Sequence, residues 1–282
     1  IKNYIKIISL DHGLVPFETW PYQDNMINTI HNNRFTIAKL PRQSGKSTTV
    51  IAYLLHYVLF NSEVNVAILA NKQATARELL YRLKLAYENL PKWLQQGIIE
   101  WNKGNISLEN NSKVLASSTS SSAVRGGSFN MIFLDEFAYV PENVADEFFS
   151  SVYPTISSGK ETKVLIISTP KGLNMYYKLW RDAEEGNNSY VPVEVHWSEV
   201  PGRDDKWKKE TIANTSKAQF RAEFECEFIG SQNTLIDPSK LKCLAYRKPM
   251  AERDDGFIQY YPPEEDRTYF MAVDVSRGRE LD

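Results

Sequence analysis

The chain has almost no cysteine: Cys226 and Cys243 are its whole supply. Two thiols make neither a disulfide framework nor a zinc-binding pattern, which excludes small cross-linked scaffolds and suits a reducing interior. Both are expected to be structural or inert. Net charge is nearly absent as well, −2 over 282 residues. No global positive field announces a nucleic-acid binder, so any DNA contact must come from local patches or from several copies acting together. No apolar run reaches the roughly 18 residues a membrane helix needs, and the first residues lack a basic segment leading into an apolar core. A soluble, intracellular protein with no membrane partner is expected. Repeats and low-complexity tracts are also missing, and Ser117-Ser-Thr-Ser-Ser-Ser122 reads as a loop. What remains, with 42% hydrophobic content, is enough for one large core and a smaller appendage.

The most informative stretch runs from Phe35 to Thr48. Phe35-Thr-Ile-Ala-Lys-Leu40 reads as a buried strand, Pro41-Arg-Gln-Ser-Gly45 as a turn, and Lys46-Ser47-Thr48 as the start of a helix that stays apolar to Phe60. Such a turn aims backbone N–H groups and the positive end of a helix dipole at an anion; Lys46 adds a mobile charge and Ser47 a hydroxyl for Mg²⁺. Pro41, Arg42, Gln43, Ser44, Gly45, Lys46, Ser47 and Thr48 are therefore expected to bind a nucleotide. One position departs from G-x-x-x-x-G-K-[ST]: Leu40 stands where the first glycine belongs.

Val64–Ala70 is a second apolar run, followed by a helical stretch from about Gln73 to Asn89 with Ala76, Leu79, Leu80, Leu83 and Tyr87 on one side. Further strands are predicted near Asn105–Leu108, Lys113–Ala116, Met131–Leu134 and Lys163–Ile167, and a helix near Met175–Glu185. Buried strands alternating with helices imply an α/β fold, a mostly parallel sheet covered on both faces. From about residue 190 the pattern weakens into Val191–His196 and short helices near Lys206–Ile212 and Ser216–Phe228, read as a small lid. Residues 231–266 carry Pro238, Pro249, Pro262 and Pro263 and look like a linker. A strand then begins at Thr268, so the chain reads as cut inside a second domain.

The catalytic constellation is carried by strand ends. Met131-Ile-Phe-Leu ends in Asp135 and Glu136, at the carboxyl edge where α/β ligand sites lie. Asp135 suits the Mg²⁺ that bridges phosphates, and Glu136 suits a base for the attacking water. Lys163–Ile167 ends in Ser168 and Thr169, hydroxyls able to sense a γ-phosphate, although turn chemistry before Pro170 explains them equally well. Arg42 and Arg125 are candidate guanidinium donors to a transition state. Gln23, on a helix just before the phosphate turn, could read an adenine edge. Lys206-Trp-Lys-Lys209 is either a DNA-backbone contact or, the better reading, a solvated helix face.

In order along the chain, Gln23, Pro41–Ser47, Val124-Arg-Gly126, Met131–Glu136 and Ile167–Pro170, together with Glu100–Asn105 and Lys217–Glu223, resemble the ATPase domain of tailed-phage terminase large subunits. The resemblance runs over nearly the whole chain, and that family tolerates another residue at the Leu40 position and carries an arginine where Arg42 stands. It implies a RecA-like P-loop ATPase of the ASCE type over residues 1–230, with a lid at about 190–230, using ATP and Mg²⁺. It further implies a homo-oligomeric ring, monomeric when isolated, that docks on the portal of a viral procapsid in the host cytoplasm and drives double-stranded DNA inward, with a terminase small subunit as partner. Lys46 and Ser47 match the phosphate and metal contacts, Asp135 the metal carboxylate, Glu136 the catalytic carboxylate and Ser168-Thr169 the coupling motif. Gln23 matches an adenine-contacting glutamine, Arg42 an arginine acting in its own site and Arg125 one acting on a neighbouring subunit. Residues 267–282 match the first strand of a ribonuclease H-like nuclease, with Asp274 its first metal carboxylate and Asp282 near another; without the remaining ligands no nuclease activity is expected of this chain. A superfamily-two-like DNA helicase or translocase and a non-hydrolytic nucleotide-dependent switch or scaffold are the alternatives.

Overall fold

A computed structural model describes residues 1–9, 11–120, 127–229, 249–252, 258–262 and 266–268, without the side chains of 152–158. The chain divides into two compact units, Ile1–Asn233 and Thr234–Asp282. The first opens with an antiparallel hairpin, β1 (Lys6–Ser9) and β2 (Gly13–Pro16), and continues through α1 (Pro21–Asn32), β3 (Phe35–Lys39), α2 (Lys46–Phe60), β4 (Asn65–Ala70) and α3 (Gln73–Glu88). Next come β5 (Ile98–Trp101), β6 (Asn105–Leu108), β7 (Lys113–Ser118), β8 (Met131–Asp135), α4 (Glu142–Ser158), β9 (Lys163–Ser168), α5 (Met175–Glu184) and β10 (Val191–Glu194). Two short helices, α6 (Asp205–Asn214) and α7 (Lys217–Glu223), close it. In the second unit the described residues form a ladder of β11 (Ala251–Glu252) on β12 (Ile258–Gln259).

The central sheet has eight strands in the order β10-β3-β9-β8-β4-β7-β6-β5. From β10 to β7 every pairing is parallel; β5 and β6 extend the edge antiparallel. Its inner strands are apolar on both faces because both faces are covered. On one side Ala38, Val66, Ile68, Met131, Phe133, Leu165 and Ile167 meet α1, α2 and α3. On the other, Ile37, Ala67, Leu69, Ile132, Leu134, Val164 and Ile166 meet α4 and α5. The alternation along each strand is the two-residue period of a pleat.

Among the described residues the predicted strands and the long helices α2, α3 and α5 match the structure, while several other elements differ from the sequence reading. The β1–β2 hairpin and β5 escaped it, being four-residue edge pieces with little buried surface. Helix α4 escaped it too, since Pro154 and a run of serines mask its periodicity. Helix α7 is shorter than expected: the chain turns through Cys226 in the left-handed region (φ 53°) and extends so that Phe228 can pack on Tyr176 and Tyr177 of α5. Burial pushes the Cys226 thiol up to about 12, which makes it inert as a nucleophile. No helix among the described residues is long and apolar enough to cross a membrane. Most of 231–266, the predicted strand after its first residue Thr268, Cys243, Asp274 and Asp282 lie outside the described residues.

Candidate active site

Parallel register decides where the chemistry lies. Lys39, the last residue of β3, pairs with Ser168, the last of β9, and Asp135 at the end of β8 pairs with Ile167. Three strand ends therefore deliver the phosphate turn, the acidic pair and the two hydroxyls to one carboxyl edge, where an open α/β sheet binds ligands.

The turn needs no glycine at position 40. Leu40 is fully buried and its N–H still donates to the Ser168 carbonyl at 3.4 Å, so the strand simply runs one residue longer. The bend is made by Gln43 and Gly45, both in the left-handed region (φ 56° and 71°). Tyr22 and Gln23 brace it from α1: the Tyr22 hydroxyl donates to the Ser44 carbonyl at 2.8 Å and Gln23 Nε2 to the same oxygen at 3.4 Å. Gln23 Oε1 accepts the Trp20 N–H at 3.0 Å, so this buried amide is engaged by the chain itself. The structure thus gives Gln23 a bracing part, which Tyr22, unmarked in the sequence, shares. Beyond Gly45, α2 starts with no side-chain cap, leaving its first N–H groups for an anion. A Cβ on Gly45 would stand 2.7 Å from Gln23 Nε2 and in a strained backbone conformation. Gly45→Ala is expected to destabilise the fold by about 1–2 kcal/mol and to abolish nucleotide uptake, checked by thermal melting and by titration.

Lys46 Nζ pairs with Glu136 Oε1 at 2.9 Å and donates to Thr169 Oγ1 at 3.3 Å. Glu136 itself occupies the left-handed region (φ 50°, ψ 44°), an uncommon place for a side-chain-bearing residue that turns its carboxylate back toward the other strand ends. Its second oxygen lies 3.4 Å from both the Ser168 hydroxyl and the Thr169 N–H. Ser47 Oγ donates to Asp135 Oδ1 at 3.0 Å. Burial, then the charge of Glu136, push the Asp135 carboxyl up to about 6, against the opposing pull of Lys46 and the Ser47 hydrogen bond. On the far side of Lys46 and Ser47 opens a cavity of about 530 Å³, walled by β1 and by Ile51, Ala52, Tyr81, Arg82 and Leu85 of α2 and α3. That volume is within the range of small-molecule sites.

The remaining sequence candidates are placed as follows. Arg42 is largely exposed and pairs with Glu223 of α7 at 3.0 Å. Arg125 lies outside the described residues. Trp207 of the basic-aromatic cluster packs on Trp197, Phe220 and Phe224, and Lys208 pairs with Glu225 at 2.6 Å, while Lys206 and Lys209 are exposed on the outer face of α6. Arg203 and Glu223, which touch the turn at Arg42 and Gln43 from the α6–α7 region, carried no motif-level signal as site residues. Glu223 ends the Lys217–Glu223 stretch, the one hint available.

The sequence matches the family described as "Terminase large subunit, T4likevirus-type, N-terminal" over residues 37–243. The chain belongs to this family. A curated relative, the terminase large subunit of Thermus phage G20c, is 32% identical over 173 residues, covering 56% of this chain and 34% of its own length. The chain thus spans about a third of the curated relatives it matches. Among solved structures, the large terminase of bacteriophage HK97 superposes with a TM-score of 0.67 at 17% identity, over 88% of this chain and 58% of that one. The ATPase domain of the Thermus phage P74-26 large terminase gives 0.59 at 21%, over 76% and 95%. A large terminase of a thermophilic bacteriophage, solved with ATP-γ-S, gives 0.58 at 11%, over 75% and 53%. These likenesses fix the fold as RecA-like, and the eight-stranded, mostly parallel sheet of this terminase chain belongs to that architecture.

Proposed function

We propose that the chain binds ATP at the turn 41–48, hydrolyses it, and in its full assembly uses that hydrolysis to move double-stranded DNA into a viral procapsid. One observation carries the reading: Lys46-Ser47, Asp135-Glu136 and Ser168-Thr169 meet within hydrogen-bond distance at a single sheet edge. Membership of the terminase family and the ATP-γ-S bound to a structural relative support it. The triphosphate lies along the turn and the helix dipole, with the base directed into the adjoining cavity.

Mg²⁺ fits the residues present. Ser47 Oγ and Asp135 Oδ1 are hard oxygen donors already adjacent, and a cation beside the buried Asp135 carboxyl would favour its charged form. The ion would supply charge neutralisation at the phosphates. Drawing Lys46 onto the phosphates frees Glu136 from its ion pair, and the freed carboxylate takes the proton of the attacking water. Arg42 stabilises the charge spread over the γ-phosphoryl oxygens, and Arg125 does so across a ring interface. The portal of the procapsid and a small terminase subunit are the proposed partners, the host cytoplasm the proposed place of work. Nothing in the comparisons favours the helicase alternative.

Titration with a fluorescent ATP analogue tests the reading directly. Saturable Mg²⁺-dependent binding is expected, and Lys46→Ala should weaken it by about 10- to 100-fold, the worth of a charge-assisted contact to phosphate. A chain that takes up no nucleotide, or a variant that binds as well as the parent, sinks it.

A further inference from the structure

The lid grips the phosphate turn in two distinct ways. Its main-chain grip does not depend on side chain 42: the Arg42 N–H donates to the Glu223 carbonyl at 2.9 Å, and Arg203 Nη2 donates to the carbonyls of Arg42 and Gln43 at 2.7 and 3.1 Å. Arg203 is itself held over Trp207 and Phe224, 4.8 and 5.3 Å from the ring centres. The second grip is the side-chain pair of Arg42 Nη1 with Glu223 Oε1, at 3.0 Å.

We propose that Glu223 is a positioning residue that parks Arg42 against the lid and surrenders it when a γ-phosphate competes for the guanidinium. The inference rests on the reading of Arg42 as the arginine that works in its own site. Three features make the exchange feasible. The Arg42 side chain is 60% exposed, so it swings through solvent, while Glu223, 22% exposed, keeps enough contact with water to stay charged when the arginine leaves. The pair is a single contact, weak enough for a multiply charged phosphate to outcompete. The main-chain bonds stay in place, so the turn keeps its shape while the side chain swings. The lid then governs how readily the arginine is released, because the parking carboxylate ends α7 and moves with it.

Glu223→Gln removes the charge but keeps the size and the main-chain acceptor. Affinities of the parent and the variant for ATP-γ-S and ADP, measured with Mg²⁺, read out the release of Arg42. ATP-γ-S should bind about two- to fivefold more tightly to the variant, the worth of one partly exposed ion pair, with ADP unchanged. Glu223→Asp, which keeps the charge, should stay near the parent, and adding Glu223→Gln to Arg42→Ala should change nothing further. Unchanged or weaker ATP-γ-S binding in the glutamine variant overturns the proposal; so does equal tightening of ADP, which would mark a general field effect. If Arg42→Ala weakens ATP-γ-S alone while Glu223→Gln is silent, Arg42 keeps its role and only the parking role of Glu223 falls. If Arg42→Ala leaves both nucleotides unaffected, the reading of Arg42 itself fails and the proposal with it.

Discussion

Glu136→Gln should cut ATP turnover by about 10²- to 10⁴-fold, the usual worth of a positioned general base, while ATP-γ-S binding is kept and strengthened. Both halves follow from the same geometry. Glutamine preserves the size of the side chain and an acceptor oxygen for the Thr169 N–H, now 3.4 Å from Glu136 Oε2, so the strand ends stay assembled. It cannot accept a proton from water. It also ends the 2.9 Å ion pair that draws Lys46 toward the acid, so less is spent in bringing the ammonium to a phosphate. Steady-state turnover and equilibrium binding measured on one preparation distinguish the roles. Turnover that survives removes Glu136 from catalysis, and binding that falls together with turnover makes it a structural counter-ion for Lys46. A non-hydrolytic switch has no use for a base, so the same variant would leave its nucleotide response intact.

The core of this site was legible because each part is a local pattern tied to a strand end. Apolar runs closing in Gly45-Lys46-Ser47, Asp135-Glu136 and Ser168-Thr169 state both the strand and its terminal chemistry, and a parallel sheet with short registers brings such ends together. What stayed hidden has no local pattern. Tyr22, Arg203 and Glu223 reach the turn across the fold, through bonds to its carbonyls and N–H groups, and a contact to main chain leaves no constraint on the sequence of the turn it touches. Gln23 was visible, but a buried glutamine amide serves a ligand or a backbone equally well, and the spacing before the turn does not separate the two. Leu40 shows the converse. A missing glycine looked like a defect of the motif, yet the left-handed residues that the bend requires are Gln43 and Gly45. Glu136 adds a feature that no propensity scale announces, a left-handed backbone at a glutamate, where strain aims the carboxylate.

Asp135→Asn should stabilise the protein and disable it, with a pH dependence that identifies the cause. An unfolded aspartate has its ordinary value near 3.8, whereas the fold holds the Asp135 proton up to about 6, mainly because the carboxyl is buried and next because Glu136 adjoins it. Between those values the folded state binds more protons than the unfolded one. Stability therefore falls as pH rises through that window and stays lowered above it, by about 3 kcal/mol for a shift of this size. Asparagine is neutral throughout and keeps an acceptor for the Ser47 hydroxyl, now 3.0 Å from Asp135 Oδ1. The variant should melt close to the parent at pH 4 and above it from pH 7 upward, at roughly 2–4 °C per kcal/mol. Mg²⁺-dependent nucleotide binding should drop at least about tenfold, since the charged metal ligand is gone. In the parent, the rise in melting temperature produced by Mg²⁺ with ATP-γ-S should be larger at pH 8 than at pH 5, because the ion needs the ionised carboxylate and relieves its burial. A stability gain equal at all pH values would place the benefit in packing, and no gain at pH 8 would mean that the acid is already compensated in the fold.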